Sequence, residues 1–374
     1  MTQSNAQLPA DFDPHALPTL ETSRLMAKMA QSIKPPRRGI VQGFIARTDS
    51  FPVDENIASL EKIRDGLSDS DPQKANIDAL ISRTLSVSDL TPKTYDRFKQ
   101  NPNAFSSWYP QLAKAIADSN SPFKTPASKC ITLPIELAQF MRIEYGETTE
   151  QDKKTFNNFV FHALALEDDK TYFIKTGNFS MKFEFHNARC TEPREMGEYF
   201  QVINNFAMQV GAGTTVELVA REYIKDVEDN PTIYNGMPLR TEFRAFVDFD
   251  ANTLIGIVPY WHPIVMKRAL NNPHASPEQQ ERTKQDFVTY CAHEDALTAK
   301  YNDLLPTVRR ELKALIPHVG LSGRYSVDVM KNGDDLYVID MALMAESALS
   351  ELLDNPDYNE PAFAALFDEG EVSE

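Results

Sequence analysis

The spacing of apolar residues changes near the middle of the chain. In the first half they recur every three or four positions, which predicts helices over 57–66 and 72–85 and helical structure over 134–168. From residue 171 onward, short runs alternate between apolar and polar residues and predict strands, interrupted by a return of helical spacing over 196–210. Strands, a helix, antiparallel strands, helices and a hairpin follow in that order, which predicts an α+β core rather than alternating parallel βαβ units.

The remaining segments complete this outline. A hairpin is predicted over 171–185, where the strand-like runs TYFIK and MKFEF flank TGNFS. The proline-bearing stretch 101–134 is predicted to be irregular. The other predicted elements are strands over 216–224, 241–249 and 253–261 and helices over 20–33, 282–315 and 342–352.

Composition narrows the functional classes. The 374 residues carry a formal net charge of −16, which argues against general binding to nucleic acid or to an anionic membrane. The three cysteines lack metal-ligand spacing, the N-terminal segment is polar and acidic rather than a signal peptide, and no apolar run reaches about 18 residues. These features predict a protein of a reducing, cytoplasmic compartment.

The segment YSVDVMKNGDDLYVID, residues 325–340, carries the first candidate chemistry. Two β-rich runs flank an Asn-Gly pair, which is a strong hairpin signal. A loop over 331–335 would place Asp328 opposite Val338, with Asp340 on a diagonal of the same face. Two such carboxylates could hold a hard divalent cation. They could equally be solvent-facing aspartates beside a turn.

A lysine-bearing loop is the second candidate. Lys175 and Lys182 bracket a loop that contains Gly177, Asn178 and Ser180. Small and polar loop residues allow backbone N–H groups to surround phosphate oxygens, and a lysine at each end adds compensating charge. The alternative is a surface hairpin with exposed lysines. No GxxxxGK[ST] or GxGxxG motif is present in the sequence.

Alternation along LRTEFRAFVDF supplies the third candidate. It places Arg240, Glu242, Arg244 and Asp248 on one face of a strand, a split that any half-exposed strand can show. Beside a lysine loop and an aspartate pair, however, the arginines could bind a triphosphate. Glu242 could then hold a ribose hydroxyl or a cation.

Six motifs in order resemble the cell division cycle protein 123 family, a divergent branch of the ATP-grasp superfamily. The sixth is the hairpin of residues 325–340. The other five segments are FSSWYP (105–110) with KTPASKCITLPIEL (124–137), FIKTGNFSMKF (173–183), VELVAREYI (216–224), TEFRAFV (241–247) and LIGIVPYW (254–261). The resemblance covers residues 105–352.

The resemblance implies an ATP-grasp-like α+β fold in which two lobes hold ATP and Mg²⁺ in a cleft between them. The implied domains are a helical N-terminal extension (1–100), an N-terminal lobe with the lysine loop (101–215) and a C-terminal lobe with the metal-binding hairpin (216–374). The implied nucleotide-binding residues are Lys175, Asn178, Ser180, Lys182, Arg221, Glu222, Tyr223 and Arg244, to which the strand pattern adds Glu242. Lys182 and Arg244 are also the predicted catalytic residues.

The resemblance also implies that Asp328 and Asp340 bind Mg²⁺. The family pattern has an asparagine two residues after the second aspartate, whereas this chain has Ala342. Glu346 or a water would have to replace that ligand.

Three functions remain open at this point. The family resemblance implies an ATP-dependent assembly factor for a protein partner, as its eukaryotic members are for translation initiation factor 2. Superfamily chemistry implies instead an ATP-dependent carboxylate–amine ligase that forms an acyl phosphate on its substrate. Ala342 raises a third alternative, a degenerate ATP-grasp pseudoenzyme.

Overall fold

The chain forms two compact units, each with its own sheet. The computed structural model describes residues 53–68, 71–273 and 275–354, so the helix predicted over 20–33 lies outside the described residues. The first unit contains the described residues up to 110, with 126–225 and 234–237, and the second contains 111–125, 226–233 and the described residues from 238 onward. The three-domain division implied by the resemblance stays a prediction.

Helices and strands are numbered in chain order. The helices are α1 (Val53–Asp65), α2 (Pro72–Val87), α3 (Pro92–Lys99), α4 (Phe105–Asp118), α5 (Ile135–Met141), α6 (Glu150–Ala163), α7 (Phe185–Ala188), α8 (Met196–Gln209), α9 (Pro263–Leu270) and α10 (Pro277–Val319). The strands are β1 (Phe123–Lys124), β2 (Ser128–Thr132), β3 (Tyr172–Thr176), β4 (Arg189–Cys190), β5 (Glu217–Glu222), β6 (Thr232–Ile233), β7 (Met237–Pro238), β8 (Glu242–Asp248), β9 (Thr253–Pro259), β10 (Arg324–Asn332) and β11 (Asp335–Leu343).

The first unit is built on a four-stranded antiparallel sheet in the order β2-β5-β3-β4. Alternation along β5 turns Leu218 and Ala220 toward a large apolar core, to which α5, α6 and α8 also contribute. The opposite face of the same strand carries Glu217, Val219 and Arg221. One face of this sheet is therefore apolar, and the other carries charge.

The second unit is built on a five-stranded sheet in the order β1-β11-β10-β8-β9. Only the short β1 is parallel to its neighbour, and the other pairs are antiparallel. Helix α10 packs on β9 and β8. It begins at a capping box formed by Ser276 and Gln279 and ends at Gly320, whose φ of +70° is a left-handed C-cap that glycine adopts without strain.

The α+β prediction is confirmed by this mixture of helices and largely antiparallel sheets. The helices predicted over 57–66, 72–85, 196–210 and 282–315 correspond to α1, α2, α8 and α10, and the three strands predicted after residue 216 correspond to β5, β8 and β9. None of the described helices is both long enough and apolar enough to cross a membrane.

The predicted 171–185 hairpin is wrong in its second half. Strand β3 forms, but MKFEF becomes a 3₁₀ turn (Lys182–Glu184) followed by α7. The free edge of β3 pairs with β4 instead. The alternation was misleading because Phe185 is buried whereas Phe183 is 54% exposed, so the run has no common buried face.

Two other predictions of local structure are wrong. The prediction that residues 101–134 are irregular fails over α4, where Phe105, Trp108 and Leu112 recur at helical spacing and are buried although the helix contains Pro110. The predicted terminal helix over 342–352 is also wrong. Strand β11 continues to Leu343, and two 3₁₀ turns (Met344–Glu346 and Ser350–Leu353) follow it.

Candidate functional site

Three charged side chains share the face of the first sheet that lies opposite its apolar core. Lys175 on β3 is in register with Val219 on β5, and Glu217 and Arg221 lie two residues to either side of Val219. Alternation therefore turns Lys175, Glu217 and Arg221 to the same side. All three are buried, and Lys175 is only 2% exposed. We call this group the lysine face.

Helix α4 covers part of the lysine face. Ser106 donates its backbone N–H to Glu217 Oε2 at 3.3 Å and its hydroxyl to Glu217 Oε1. The Arg221 guanidinium lies 5.6 Å from the centroid of the Phe105 ring. Burial raises the pKa of the Glu217 carboxyl above its ordinary value, although the Ser106 hydrogen bonds and the charge of Lys175 act to lower it. The FSSWYP motif thus holds two of the three charged residues.

The loop after Lys175 is closed by its own hydrogen bonds. The Thr176 N–H donates to the Phe179 carbonyl at 2.9 Å, and the Phe179 N–H donates to Thr176 Oγ1 at 3.2 Å. Asn178 bonds through its amide to the hydroxyls of Thr214 and Thr215, both at 3.2 Å. The predicted loop residue Asn178 is therefore fixed against the segment that precedes β5.

The other two loop residues named in the sequence analysis follow this turn. The Ser180 carbonyl accepts the Lys182 N–H at 2.8 Å, and Lys182 Nζ lies 5.8 Å from the Phe183 ring centroid. Both side chains are half-buried. Lys175 is therefore buried, whereas Asn178, Ser180 and Lys182 are all half-buried.

The three consecutive nucleotide-binding residues predicted on β5 and just after it differ in their surroundings. Arg221 is buried on the lysine face, whereas Glu222 is exposed and lies 3.7 Å from the Lys170 ammonium. Tyr223 is half-buried, with the Arg189 guanidinium 5.1 Å from its ring centroid. Its backbone N–H donates to the Thr171 carbonyl at 2.9 Å. Only Arg221 of the three lies with Lys175.

The hairpin of β10 and β11 has a different register from the predicted one. Asn332 pairs with Asp335, so the loop contains only Gly333, with a φ of +62°, and Asp334. An irregularity after Asp328 then shifts the register by one further residue. As a result Asp328 faces Asp340 directly, and the prediction that it faces Val338 is wrong. Directly opposed side chains have Cβ atoms about 4.5–5.5 Å apart.

Arg244 joins the two aspartates in one cross-strand row. It is in register with Asp328 on the other side of β10, and its Nε and Nη2 donate to Asp328 Oδ1 and Oδ2, both at 2.8 Å. Its Nη1 donates to the Ala348 carbonyl at 3.2 Å, and its guanidinium lies 4.6 Å from the Tyr260 ring centroid. We call Arg244, Asp328 and Asp340 the aspartate face.

The charges on the aspartate face act on one another. Burial acts to lower the pKa of the Arg244 guanidinium, but the charge and hydrogen bonds of Asp328 outweigh burial and raise the pKa above its ordinary value, with a smaller contribution from Asp340. The Met341 N–H donates to Asp340 Oδ1 at 3.1 Å. Two carboxylates and one guanidinium leave this face with an excess of negative charge.

The other predicted ligands lie in less concentrated surroundings. Glu242, the first residue of β8, is half-buried, and Glu346 lies in an exposed 3₁₀ turn. Within the described ranges, no group of three or more His, Cys, Asp or Glu side chains is arranged to hold a metal ion. Asp328 and Asp340 are thus brought together as a pair, without Glu346 as a third protein carboxylate.

The sequence analysis did not predict Glu217 or Ser106 as site residues. Glu217 shares a sheet face with the predicted Lys175 and Arg221, and Ser106 donates hydrogen bonds to Glu217. A signal was present for each. Glu217 interrupts the otherwise apolar start of the strand VELVA, and Ser106 follows a phenylalanine that begins helical spacing. A carboxylate in a buried strand needs hydrogen-bond donors, and the first turn of a helix has free N–H groups to supply them.

Two of the solved structures that are similar to this chain are of Cdc123 from Schizosaccharomyces pombe. A C-terminally truncated form is 16% identical, with a TM-score of 0.37 over 68% of this chain and 86% of that one. The other form is also 16% identical, with a TM-score of 0.35 over 64% and 82%.

A third solved structure is more distant. Phosphoribosylglycinamide synthetase from Anaerococcus prevotii is 11% identical, with a TM-score of 0.21 over 62% of this chain and 41% of that one. No family model matches the chain, and no curated protein matches it. The family that the sequence motifs resemble is thus also found among the similar structures. The roles proposed below come from the contacts of this chain's own side chains.

Proposed function

We propose that this chain binds Mg·ATP and uses it as an ATP-dependent assembly factor for a protein partner. The observation that carries the proposal is the lysine face, where Lys175 and Arg221 are buried beside a single carboxylate, Glu217. A buried lysine and a buried arginine on one sheet face suit an anionic ligand, and phosphate oxygens accept hydrogen bonds from both side chains.

Phosphate binding would use Lys175 first. Its ammonium is a point charge at the end of β3, next to a loop whose Asn178 is already fixed by two threonines. Ser180 and Lys182 are close enough in sequence, and exposed enough, to add donors to the same phosphates. Arg221 on the neighbouring strand is proposed to add a second cation, and Glu222 and Tyr223, which follow it, are proposed to contact the adenosine end, with Glu242 at the ribose or the cation.

Magnesium binding would use the aspartate face. Oxygen ligands suit Mg²⁺, and the ion usually takes one or two carboxylates together with substrate phosphates and water. Asp328 and Asp340, directly opposed on β10 and β11, fit that pattern. Because both oxygens of Asp328 accept hydrogen bonds from Arg244, the ion would share this carboxylate with the guanidinium or displace it. Glu346 stays a predicted ligand.

The Arg244–Asp328 pair favours binding over rapid turnover. A guanidinium that stabilises a transferring phosphoryl group has to point at that group, whereas Arg244 is committed to Asp328 by two hydrogen bonds. A change that released Arg244 would therefore couple the nucleotide to a second event, such as docking of a partner. This coupling is what an ATP-dependent assembly factor requires.

An ATP-dependent carboxylate–amine ligase is the second candidate function. It is favoured by the cross-strand row that brings Arg244 together with both aspartates, since an arginine and Mg²⁺ are the usual stabilisers of a transferring phosphoryl group. Incubation with γ-labelled ATP, Mg²⁺ and a cell extract tests it. Formation of labelled phosphate together with a modified acceptor would support the ligase.

Calorimetric titration with ATP, in the presence and absence of Mg²⁺, tests the nucleotide site. We expect saturable binding that Mg²⁺ strengthens, and at least about a tenfold loss of affinity in Lys175→Ala. Lys99→Ala is the matched control, because Lys99 is an exposed lysine on α3 of the same unit and lies 4.0 Å from Asp96. No heat of binding in the wild type, or equal affinities in the two variants, would refute the proposed site.

Partner retention tests the assembly function. The chain should retain a defined protein partner in Mg·ATP and lose it when Lys175→Ala removes the nucleotide. If the wild type and Lys175→Ala retain the partner equally, with and without ATP, then partner binding does not depend on the nucleotide. In that case the assembly proposal would fail even if ATP still bound.

A further inference from the structure

A short segment that follows β11 lies on the same side of the sheet as the aspartate face. It comprises residues 344–353, with its two 3₁₀ turns, and we call it the strap. The residues two positions along each strand from the aspartate face point to the same side and form a second row. In register across the sheet, this row consists of Ala342, Ser326, Phe246 and Gly256. Gly256 allows the strap to approach, because a Cβ there would clash with Leu353.

The strap contacts the second row through a hydroxyl pair and through apolar side chains. The Ser347 and Ser326 hydroxyl oxygens are hydrogen-bonded at 2.7 Å. Leu349 and Leu352 are buried in one apolar cluster with Phe246. Burial of two leucines stabilises the strap in this position, because their apolar surface is removed from water. The strap is thus a packed element that covers the row beside the aspartate face.

Arg244 connects the strap to the aspartate face. Its Nη1 donates to the Ala348 carbonyl at 3.2 Å, while its Nε and Nη2 donate to the two oxygens of Asp328. The guanidinium is planar and rigid, so these three hydrogen bonds depend on one orientation of one side chain. A movement that takes Arg244 away from Asp328 therefore also breaks its bond to the strap.

The backbone of the strap is strained at the residue after this bond. Leu349 has a φ of +74°, in the left-handed region, which a leucine adopts only at a cost in free energy. The burial of its side chain and the neighbouring Arg244–Ala348 bond offset that cost while the strap is closed. Strain of this kind is found at switch segments, where the surrounding contacts hold one of two states. Loss of the Arg244 bond would therefore favour opening of the strap.

We propose that closure of the strap and binding of Mg·ATP oppose one another, with Arg244 as the link. The inference rests on the proposed function and names its regulation. A cation held by Asp328 competes with Arg244 for the same oxygens, and displacement of Arg244 also breaks its bond to Ala348. The released guanidinium can then turn toward phosphate oxygens. Because such coupling is reciprocal, an event that opens the strap, such as docking of a partner, strengthens Mg·ATP by the same factor.

Amide hydrogen exchange of the full chain, without nucleotide, tests the link. Arg244→Lys keeps the positive charge beside Asp328 but lacks the fork that also reaches the strap. The strap amides should exchange at least about fivefold faster in this variant than in the wild type. Arg324→Lys is the matched control, because Arg324 bonds Asp248 on the same two strands and is 66% exposed. Exchange in α10 checks that the unit stays folded. Equal strap exchange in the two variants would refute the link.

Nucleotide binding tests the opposition directly. Mg·ATP should speed exchange of the strap amides in the wild type by at least about fivefold. Leu352→Ala removes packing from the strap without changing Arg244, and in calorimetry it should bind Mg·ATP about fivefold more tightly than the wild type. Glu351→Ala, an exposed position in the same turn, should bind like the wild type. If Leu352→Ala does not fold, Ser347→Ala replaces it, because it removes the bond to Ser326.

Two results with nucleotide would overturn the proposal. The first is saturable Mg·ATP binding that leaves exchange of the strap amides unchanged or slows it. The second is an affinity for Mg·ATP in Leu352→Ala that is no higher than in Glu351→Ala. A wild type that binds no ATP would instead refute the proposed function, and with it Mg·ATP as the trigger. The exchange of Arg244→Lys would then still decide whether Arg244 holds the strap, so the two failures are distinguishable.

Discussion

The lysine face and the aspartate face place charged side chains on a sheet in opposite ways. On the lysine face two cations, Lys175 and Arg221, accompany one carboxylate, and that carboxylate accepts hydrogen bonds from the start of a helix. On the aspartate face two carboxylates accompany one guanidinium, and both oxygens of the Asp328 carboxylate accept hydrogen bonds from Arg244. The first face has an excess of positive charge and the second an excess of negative charge.

This difference separates the two faces chemically. An excess of buried positive charge suits phosphate, whereas a pair of opposed carboxylates suits a divalent cation. It also separates the expected effects of mutation. Two hydrogen bonds join Arg244 to Asp328, so removing Arg244 should mainly cost stability, whereas removing Lys175 should mainly cost ATP binding. The predictions below test this contrast, from the largest expected effect to the smallest.

Removing Arg244 should have the largest effect on stability. Arg244→Ala leaves the Asp328 carboxylate buried without its bidentate partner, which should lower the free energy of unfolding by about 3–5 kcal/mol. Arg324→Ala is the matched control on the same two strands. Arg324 bonds Asp248 at 2.9 Å but is 66% exposed, so its loss should cost about 0–1 kcal/mol. Urea denaturation measures both, and equal losses would contradict the contrast.

Adding a methyl group to the lysine loop should have the next largest effect. A Cβ on Gly177 would lie 2.7 Å from Glu217 Oε2 and 3.0 Å from the Thr215 side chain. Gly177→Ala should therefore lower the free energy of unfolding by about 1–3 kcal/mol and weaken ATP by displacing the loop. Gly146→Ala, where a Cβ meets nothing within 4 Å, should change stability by less than about 0.5 kcal/mol. Similar melting curves for the two variants would contradict this packing.

The sequence predicted most of the elements that form these faces, because long periodic segments determine their own structure. Helices α8 and α10 and strands β5, β8 and β9 all follow from spacing alone. The α+β class followed from their order. The local pattern gave a wrong prediction where another segment paired with the strand. MKFEF was predicted to pair with β3, but Arg189 and Cys190 pair with it instead.

The side chains of each face were predictable in identity but not in pairing. The sequence pattern placed Asp328 and Asp340 on one face of a hairpin. They are direct partners because the loop has only two residues and the register shifts after Asp328, and no residue pattern predicted either feature. The pairing of Arg244 with Asp328 joins residues 84 positions apart in sequence. Such contacts arise from strand order, which local periodicity does not encode.

Neutralising Asp340 should act mainly through the cation. Asp340→Asn should weaken Mg²⁺ by at least about tenfold, which corresponds to a loss of about 1.4 kcal/mol from the stabilisation that Mg·ATP gives. Melting temperature in ATP with and without Mg²⁺ measures it. Asp334→Asn, at the exposed tip of the same hairpin, is the control and should keep the full Mg²⁺ response. If Asp340→Asn also keeps it, the aspartate face is not the metal site.

The smallest effect should be a change in the pH dependence of stability caused by Glu217. Its pKa is raised by burial above the ordinary value of 4.5, so the folded state holds this proton more tightly than the unfolded state does. The contribution of Glu217 to stability therefore falls as the pH rises from 4.5 through the raised pKa. Glu217→Gln removes this titration, so its stability relative to the wild type should improve across that window.

The slope of the stability difference, rather than its absolute value, reports the ionisation. The amide in Glu217→Gln cannot accept both Ser106 hydrogen bonds, which adds a loss that does not vary with pH. Glu222→Gln, on the same strand but exposed, should follow the wild-type curve. Urea denaturation between pH 4 and pH 8, roughly the range over which a raised carboxyl titrates, provides the curves. Parallel curves for Glu217→Gln and the wild type would mean that Glu217 is ionised at little cost, because the positive charge of the lysine face already compensates it.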